Sequence, residues 1–161
     1  MKTRIAVYLA AGTLAGCASH SGDISSGKAS DTQAQKSPVQ HGTISTALTY
    51  EAYKRDLAQR IAQINAAKVY SGRPQALLRS VVVVKYVVDA HGNMIKSELI
   101  RSNRDGETEA TALASLKSSA PFPKPAPHLL RGGKIEISET WLFNNDGRFQ
   151  LRTIAQPQID S

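Results

Sequence analysis

One cysteine, Cys17, stands among the 161 residues, so no disulfide can form within the chain and none can staple its fold. No apolar run reaches the roughly 20 residues a membrane-spanning helix needs. The stretch over residues 5–18 is broken by Gly12, Thr13 and Gly16. Catalytic signatures are missing as well: neither Gly-x-Ser-x-Gly nor His-Glu-x-x-His occurs. His20, His41, His91 and His128 have no partner at metal-ligand spacing. Two near-motifs fail on their chemistry. Gly22 to Ala29 approaches a phosphate-binding loop, but Ala29 stands where Ser or Thr must reach magnesium, and no strand precedes it. Ser25 and Lys28 have the Ser-x-x-Lys spacing of penicillin-recognising enzymes without a fold to hold them. Glu107 and Glu109 lie two apart at a helix start, where the helix dipole accounts for them. The expectation is a protein without catalytic residues, metal or cofactor. A peptidoglycan- or envelope-acting hydrolase is the alternative, with no constellation to support it.

At the N-terminus, Lys2 and Arg4 precede an apolar run over residues 5–14, then Leu14-Ala15-Gly16-Cys17. A positive segment, an apolar segment and small residues in that order read as a secretory signal. The last four residues resemble a bacterial lipobox. That resemblance implies cleavage before Cys17, diacylglycerol on its thiol and a further acyl chain such as palmitate on its new amino group. A single acyl chain binds a membrane only marginally, at about 0.8 kcal/mol per buried methylene, whereas several chains anchor it firmly. Ala18, rather than Asp, after the cysteine implies sorting to the outer membrane, with the protein facing the periplasm. An uncleaved anchor and a buried structural cysteine are the competing readings; the first fails on length and the second has no folded context.

Removing the first 16 residues from 161 leaves 145, enough for one domain and a tail. Loss of Lys2 and Arg4 lowers the net charge from +7 to +5. In a cytosolic protein such a balance suggests nucleic acid; in an exported one it suggests a solvated surface facing anionic lipid, cell wall or an acidic partner, and no nucleic acid is expected. Residues 17–49 comprise the cysteine and a Ser-, Gly-, Thr-, Gln-, Ala- and Lys-rich tether with no period of 2 or 3.6. As a random coil the tether spans about 30 Å, and fully stretched about 105 Å.

The folded domain is expected over residues 50–155, followed by a disordered tail at 156–161. Tyr50, Tyr53, Leu57, Ile61 and Ile64 form a helical stripe, with Thr49 as N-cap, Leu48 and Tyr53 as a hydrophobic staple, and Gly72 and Pro74 ending the helix. Residues 81–88 are β-branched and aromatic on both faces, which predicts a central strand covered on each side, at least at its start. Asp89 to Asn93, with Gly92, reads as a turn into a more polar strand over residues 94–102. A second helix over 107–120 carries the stripe Ala110, Leu113, Ala114 and Leu116 and stops at Pro121. The proline-rich segment after it reads as a rigid crossover with Phe122 in the core. Ile135, Ile137, Trp141 and Phe143 alternate in a third strand, and Asn144 to Gly147 turns the chain into a last strand over 148–154. The expected fold is α+β: a two-layer sandwich in the order helix-strand-strand-helix-strand-strand, an antiparallel sheet with helices on one face.

This order resembles the C-terminal domain of the TonB and TolA families. The match covers about residues 70–154, with the Tyr50 helix leading in. It rests on the strand ending Tyr86-Val87-Val88-Asp89-Ala90-His91-Gly92-Asn93, on Ala112-Leu113-Ala114-Ser115-Leu116, and on Ala120-Pro121-Phe122-Pro123. Departures are Tyr70 separated from Pro74 where the family has Tyr-Pro, and Arg101-Ser102-Asn103-Arg104 where it has Ser-Ser-Gly. The resemblance implies a module that binds a peptide of an outer-membrane or other envelope protein by adding its strand to a sheet edge. By that analogy the partner-binding residues are those of the last strand: Arg148, Phe149, Gln150, Leu151 and Arg152. Basic residues that merely keep an edge soluble are the plainer alternative. The lipid signal and short tether argue against an energy transducer and for an adaptor, scaffold or accessory of transmembrane transport. A plain structural lipoprotein and a homodimer remain open.

Overall fold

The computed structural model describes residues 43–158; the signal, Cys17 and most of the tether lie outside these residues. Helix α1 (Tyr50–Ile64) is followed by strands β1 (Ser80–Asp89) and β2 (Met94–Arg101), helix α2 (Gly106–Ser118), and strands β3 (Lys134–Phe143) and β4 (Phe149–Leu151). The strands form one antiparallel sheet in the order β2-β1-β3-β4. Residues of both helices enter a single core against one face of it, so the architecture is the expected α+β two-layer sandwich.

Thr49 caps α1 by accepting the Ala52 N–H at 3.1 Å. Tyr53, Leu57, Ala58 and Ile61 are buried, and the Tyr53 hydroxyl donates to the Pro123 carbonyl at 2.8 Å. The ends of the expected stripe, Tyr50 and Ile64, stay partly exposed, and Leu48 is 78% exposed, so it closes no staple on Tyr53. The helix stops at Asn65, ahead of Gly72 and Pro74. The Asn65 amide donates back to the Ile61 carbonyl and across to the Ser115 carbonyl on α2, at 2.9 and 3.1 Å.

Ordered structure begins before Tyr50, inside the expected tether. Ile44 and Lys124 form a parallel bridge, with Ser45 N–H donating to the Lys124 carbonyl and Lys124 N–H to the Thr43 carbonyl, each at 3.0 Å. The Ser45 hydroxyl donates to Asp56 at 2.6 Å, and Ala47 joins the core. The proline segment supplies few backbone donors, and this bridge uses one of them. Phe122 is buried as expected, its ring centroid 5.7 Å from that of Tyr86.

β1 is central, between β2 and β3. Val82, Val84, Tyr86 and Val88 are fully buried against the helices, but Val81 is exposed and Val83, Lys85 and Val87 are half-buried. Among the described residues no helix covers this outer face, in keeping with helices on one face of the sheet. A cleft of about 510 Å³ at its start is lined by Pro74, Leu78, Val81, Leu142 and the 155–158 segment. The Gln158 amide reaches the Gln75 and Ala76 carbonyls at 2.5 and 2.9 Å, so part of the expected tail is packed.

On α2, only Leu116 of the expected stripe is buried; the buried face is Thr108, Ala112, Ser115 and Leu116, and Leu113 is 36% exposed. Two of these four are hydroxyl residues whose polarity is satisfied internally. Thr108 donates to Ser80 at 2.9 Å, and Ser115 accepts the Trp141 indole N–H at 3.0 Å while donating to the Ala112 carbonyl. Hydrogen-bonded hydroxyls can occupy a core face at little cost, which is why apolar spacing pointed to the wrong side.

Candidate functional site at the edges of the sheet

An edge strand presents a row of unpaired N–H and C=O groups, and what covers that row decides whether another chain can pair there. β4 is the outermost strand on one side, but it spans three residues, not the expected seven, and Phe149, Gln150 and Leu151 are all buried. Its outer side is taken by the chain itself. Val69 bridges Phe149 in parallel, and the Tyr70 N–H donates to the Phe149 carbonyl at 2.9 Å. The Gln150 amide donates to the carbonyls of Tyr70, at 2.9 Å, and Gly72. Arg148 is held by Asp146 at 2.7 Å and lies 5.0 Å from the Tyr70 ring centroid. Of the five residues expected to bind a partner, Phe149 and Leu151 do face the core, Gln150 is unexpectedly enclosed, and only Arg148 and Arg152 are exposed.

β4 pairs with only the last three residues of β3, Trp141, Leu142 and Phe143. The chain then turns away, with Ile154 and Ala155 N–H both donating to the Leu151 carbonyl. Buried Glu139 stands in for the missing strand: its Oε1 accepts the N–H groups of Thr140 at 2.8 Å and Thr153 at 3.4 Å. Its Oε2 has no partner among the described residues. Burial pushes this carboxyl up from its ordinary value, against the opposing pull of Thr153, the Thr140 N–H and Lys54.

Beyond β4, the outward backbone of β3 belongs to its even-numbered residues, because Arg152 N–H donates to the Thr140 carbonyl at 2.9 Å and Arg131 and Lys134 exchange backbone hydrogen bonds. Between these two covered points lie Glu136 and Ser138. The Tyr50 hydroxyl meets the Ser138 backbone N–H, and no backbone partner meets Glu136 on that side among the described residues. Clefts open on either side of this gap. One, of about 600 Å³, is lined by Tyr50, Leu129, Ile135 and the basic Lys96, Arg131 and Lys134. The other, of about 350 Å³, is lined by Glu51, Lys54, Ser138, Glu139 and Arg152. Sequence reading missed this half-open edge although one signal was there: Glu139 is the one polar residue on the apolar side of the β3 alternation, between Ile137 and Trp141.

The opposite edge is β2, eight residues long and paired only with β1. Register irregularities break its ladder between Val83 and Val84 and between Val87 and Val88, leaving Lys96, Ser97, Glu98 and Leu99 as the regular stretch. Ile95, Leu99 and Ile100 are 55%, 37% and 51% exposed.

No group of three or more metal-ligating side chains occurs among the described residues, and no described helix is long and apolar enough to cross a membrane. Comparison with known proteins returned no matching family model, no matching curated sequence and no matching solved structure.

Proposed function

We propose that this chain is a lipid-anchored periplasmic binding module of TonB C-terminal type, held to the outer membrane through Cys17, that takes an extended segment of an envelope protein as an added strand. It acts as an adaptor or transport accessory, not as an enzyme or an energy transducer. The observation that carries the reading is the half-covered edge of β3, where Glu136 turns its outward backbone groups toward open clefts, next to Ser138, whose N–H meets Tyr50. Main-chain pairing there supplies affinity, and flanking clefts read alternate side chains. Three cations beside Glu136 favour a segment carrying carboxylates. The TonB likeness is supported by the order of elements. The partner strand is thereby moved from Phe149, Gln150 and Leu151 to the neighbouring stretch of the same edge, with Arg152 at its margin.

The test is a photo-crosslinking amino acid at Glu136, Ser138 and Arg152 in living cells, with buried Gln150 as control. A discrete envelope protein captured at the first three and not at the control is expected; adducts to lipid alone would overturn the reading. Glu136→Pro removes an outward N–H and leaves the β1 ladder intact, as an edge proline can. It should abolish capture while the protein stays folded. Replacing Cys17 with Ala should remove palmitate labelling and release the protein from the membrane fraction.

A further inference from the structure

The regular part of β2 is chemically self-complementary. Within Ile95-Lys96-Ser97-Glu98-Leu99, apolar positions and charges lie symmetrically about Ser97, and on reversal the cation and the anion exchange places, as antiparallel self-pairing needs. We propose that β2 pairs antiparallel with β2 of a second copy of this chain, centred on Ser97, to give a twofold dimer with one continuous eight-stranded sheet.

In that register, Lys96 lies opposite Glu98 of the second copy and Ile95 opposite Leu99, each pair occurring twice by symmetry. An isologous interface of this kind needs a self-complementary surface, and the order of charges about Ser97 supplies it. Directly opposed residues of an antiparallel pair share a face of the sheet. Lys96 and Glu98 meet this condition: their β1 neighbours, Val87 and Lys85, both belong to the helix-free face. In the single copy, Lys96 and Glu98 bridge each other along the strand at 3.3 Å, both exposed, so pairing exchanges partners without stranding a charge. The twofold axis runs perpendicular to the sheet, which keeps all four helices on one side and both helix-free faces on the other. The exposed aliphatics Ile95 and Leu99 then meet across the axis and leave water. The β3 edge proposed to take the envelope partner lies across the sheet, but Lys96 also lines the cleft beside it, so the Ser97→Cys crosslink, which leaves Lys96 unchanged, tests the dimer apart from that partner.

The experiment uses the full chain with Cys17→Ser, so that no native thiol intervenes. Sedimentation over a rising concentration series is expected to show a reversible monomer–dimer equilibrium. Lys96→Glu sets like charges opposite each other twice and should weaken the dimer at least tenfold. Adding Glu98→Lys restores complementarity and should recover most of that loss, which a merely unfolded variant would not do. Added to the Cys17→Ser chain, Ser97→Cys places two thiols across the axis at a Cα separation of about 5 Å, within disulfide range. It should oxidise to a covalent dimer, whereas Lys117→Cys on α2 should not. A monomer at every concentration, a dimer indifferent to the charge swap, or β2 crosslinks in cells to a different envelope protein would each overturn the proposal.

Discussion

Gly92 sits where two requirements coincide. Its φ is +89°, in the region that side chains avoid, and a Cβ there would lie 2.1 Å from the Phe122 carbonyl oxygen. The close approach exists because the Phe122 N–H donates to the Gly92 carbonyl at 2.8 Å, tying the β1–β2 turn to the proline segment. Around it, the Asp89 carboxyl accepts the His91 and Asn93 N–H groups and the Asn93 amide. Loss of hydration opposes ionisation, but these hydrogen bonds outweigh it and hold the carboxyl below its ordinary value. Gly92→Ala is therefore expected to cost about 2–4 kcal/mol, from backbone strain plus the forced displacement of Phe122, read by chemical denaturation. Arg104 shows the converse case. It adopts a φ of +65° with a side chain attached, so Arg104→Gly should stabilise by about 0.5–1 kcal/mol, the left-handed penalty exceeding the entropy glycine gives the unfolded chain.

Glu139 yields a prediction with a definite sign. A carboxyl whose folded pKa lies above its unfolded value takes up a proton on folding, so its contribution weakens stability as pH rises beyond the ordinary glutamate value of 4.5. Glu139→Gln keeps an oxygen for the Thr140 and Thr153 N–H groups and removes the titration. Denaturation at pH 4 and pH 7 should show this variant losing the downward trend, with its advantage over the parent greatest at pH 7. A variant disadvantaged more at pH 7 than at pH 4 would mean that the charged carboxylate is itself stabilising.

At the scale of elements, α1, β1, β2 and β3 were legible because each carries a strong local pattern. Examples are the Tyr53-Leu57-Ile61 spacing with its Thr49 cap, the valine run, and the Ile135-Ile137-Trp141-Phe143 alternation. The buried face of α2 was not legible. Thr108 and Ser115 occupy core positions through hydrogen bonds to Ser80 and Trp141, partners 28 and 26 residues away in the chain that no local pattern announces. Ser115→Ala should separate the two roles of this contact. The methyl fills the site, but the buried Trp141 indole N–H loses its acceptor, so a cost of about 1–3 kcal/mol is expected, with a shift in tryptophan fluorescence. β4 illustrates the same limit: its side-chain alternation continues through Thr153, and only Glu139, taking over the backbone donors of Thr140 and Thr153, ends it at Leu151. The candidate site inherits that limit, since the open half of β3 exists only because β4 is short.

For the whole molecule, the boundary between tether and domain is the feature that composition concealed. Residues 43–49 share the polar, aperiodic character of the segment before them, and nothing local distinguishes Ile44 or Ala47 from Ile24 or Val39. What orders them is the proline segment, more than 70 residues later, where Lys124 offers both an N–H and a carbonyl at the domain surface. Burial is modest there, so the attachment rests on polar contacts: two backbone hydrogen bonds, the Ser45–Asp56 bond at 2.6 Å, and the small Ala47 side chain in the core. At about 1 kcal/mol per net hydrogen bond, a chain beginning at Leu48, which keeps the Thr49 cap, should be about 3 kcal/mol less stable than one beginning at Thr43. A chain beginning at Thr43 should match the longer protein within error, because the segment before it adds no apolar period to bury. Equal melting points for the 43 and 48 starts would place the boundary at Leu48 and make the Ile44–Lys124 bridge incidental. The expected difference instead makes the bridge a clasp that fixes where the tether leaves the domain: beside the proline segment, at Lys124.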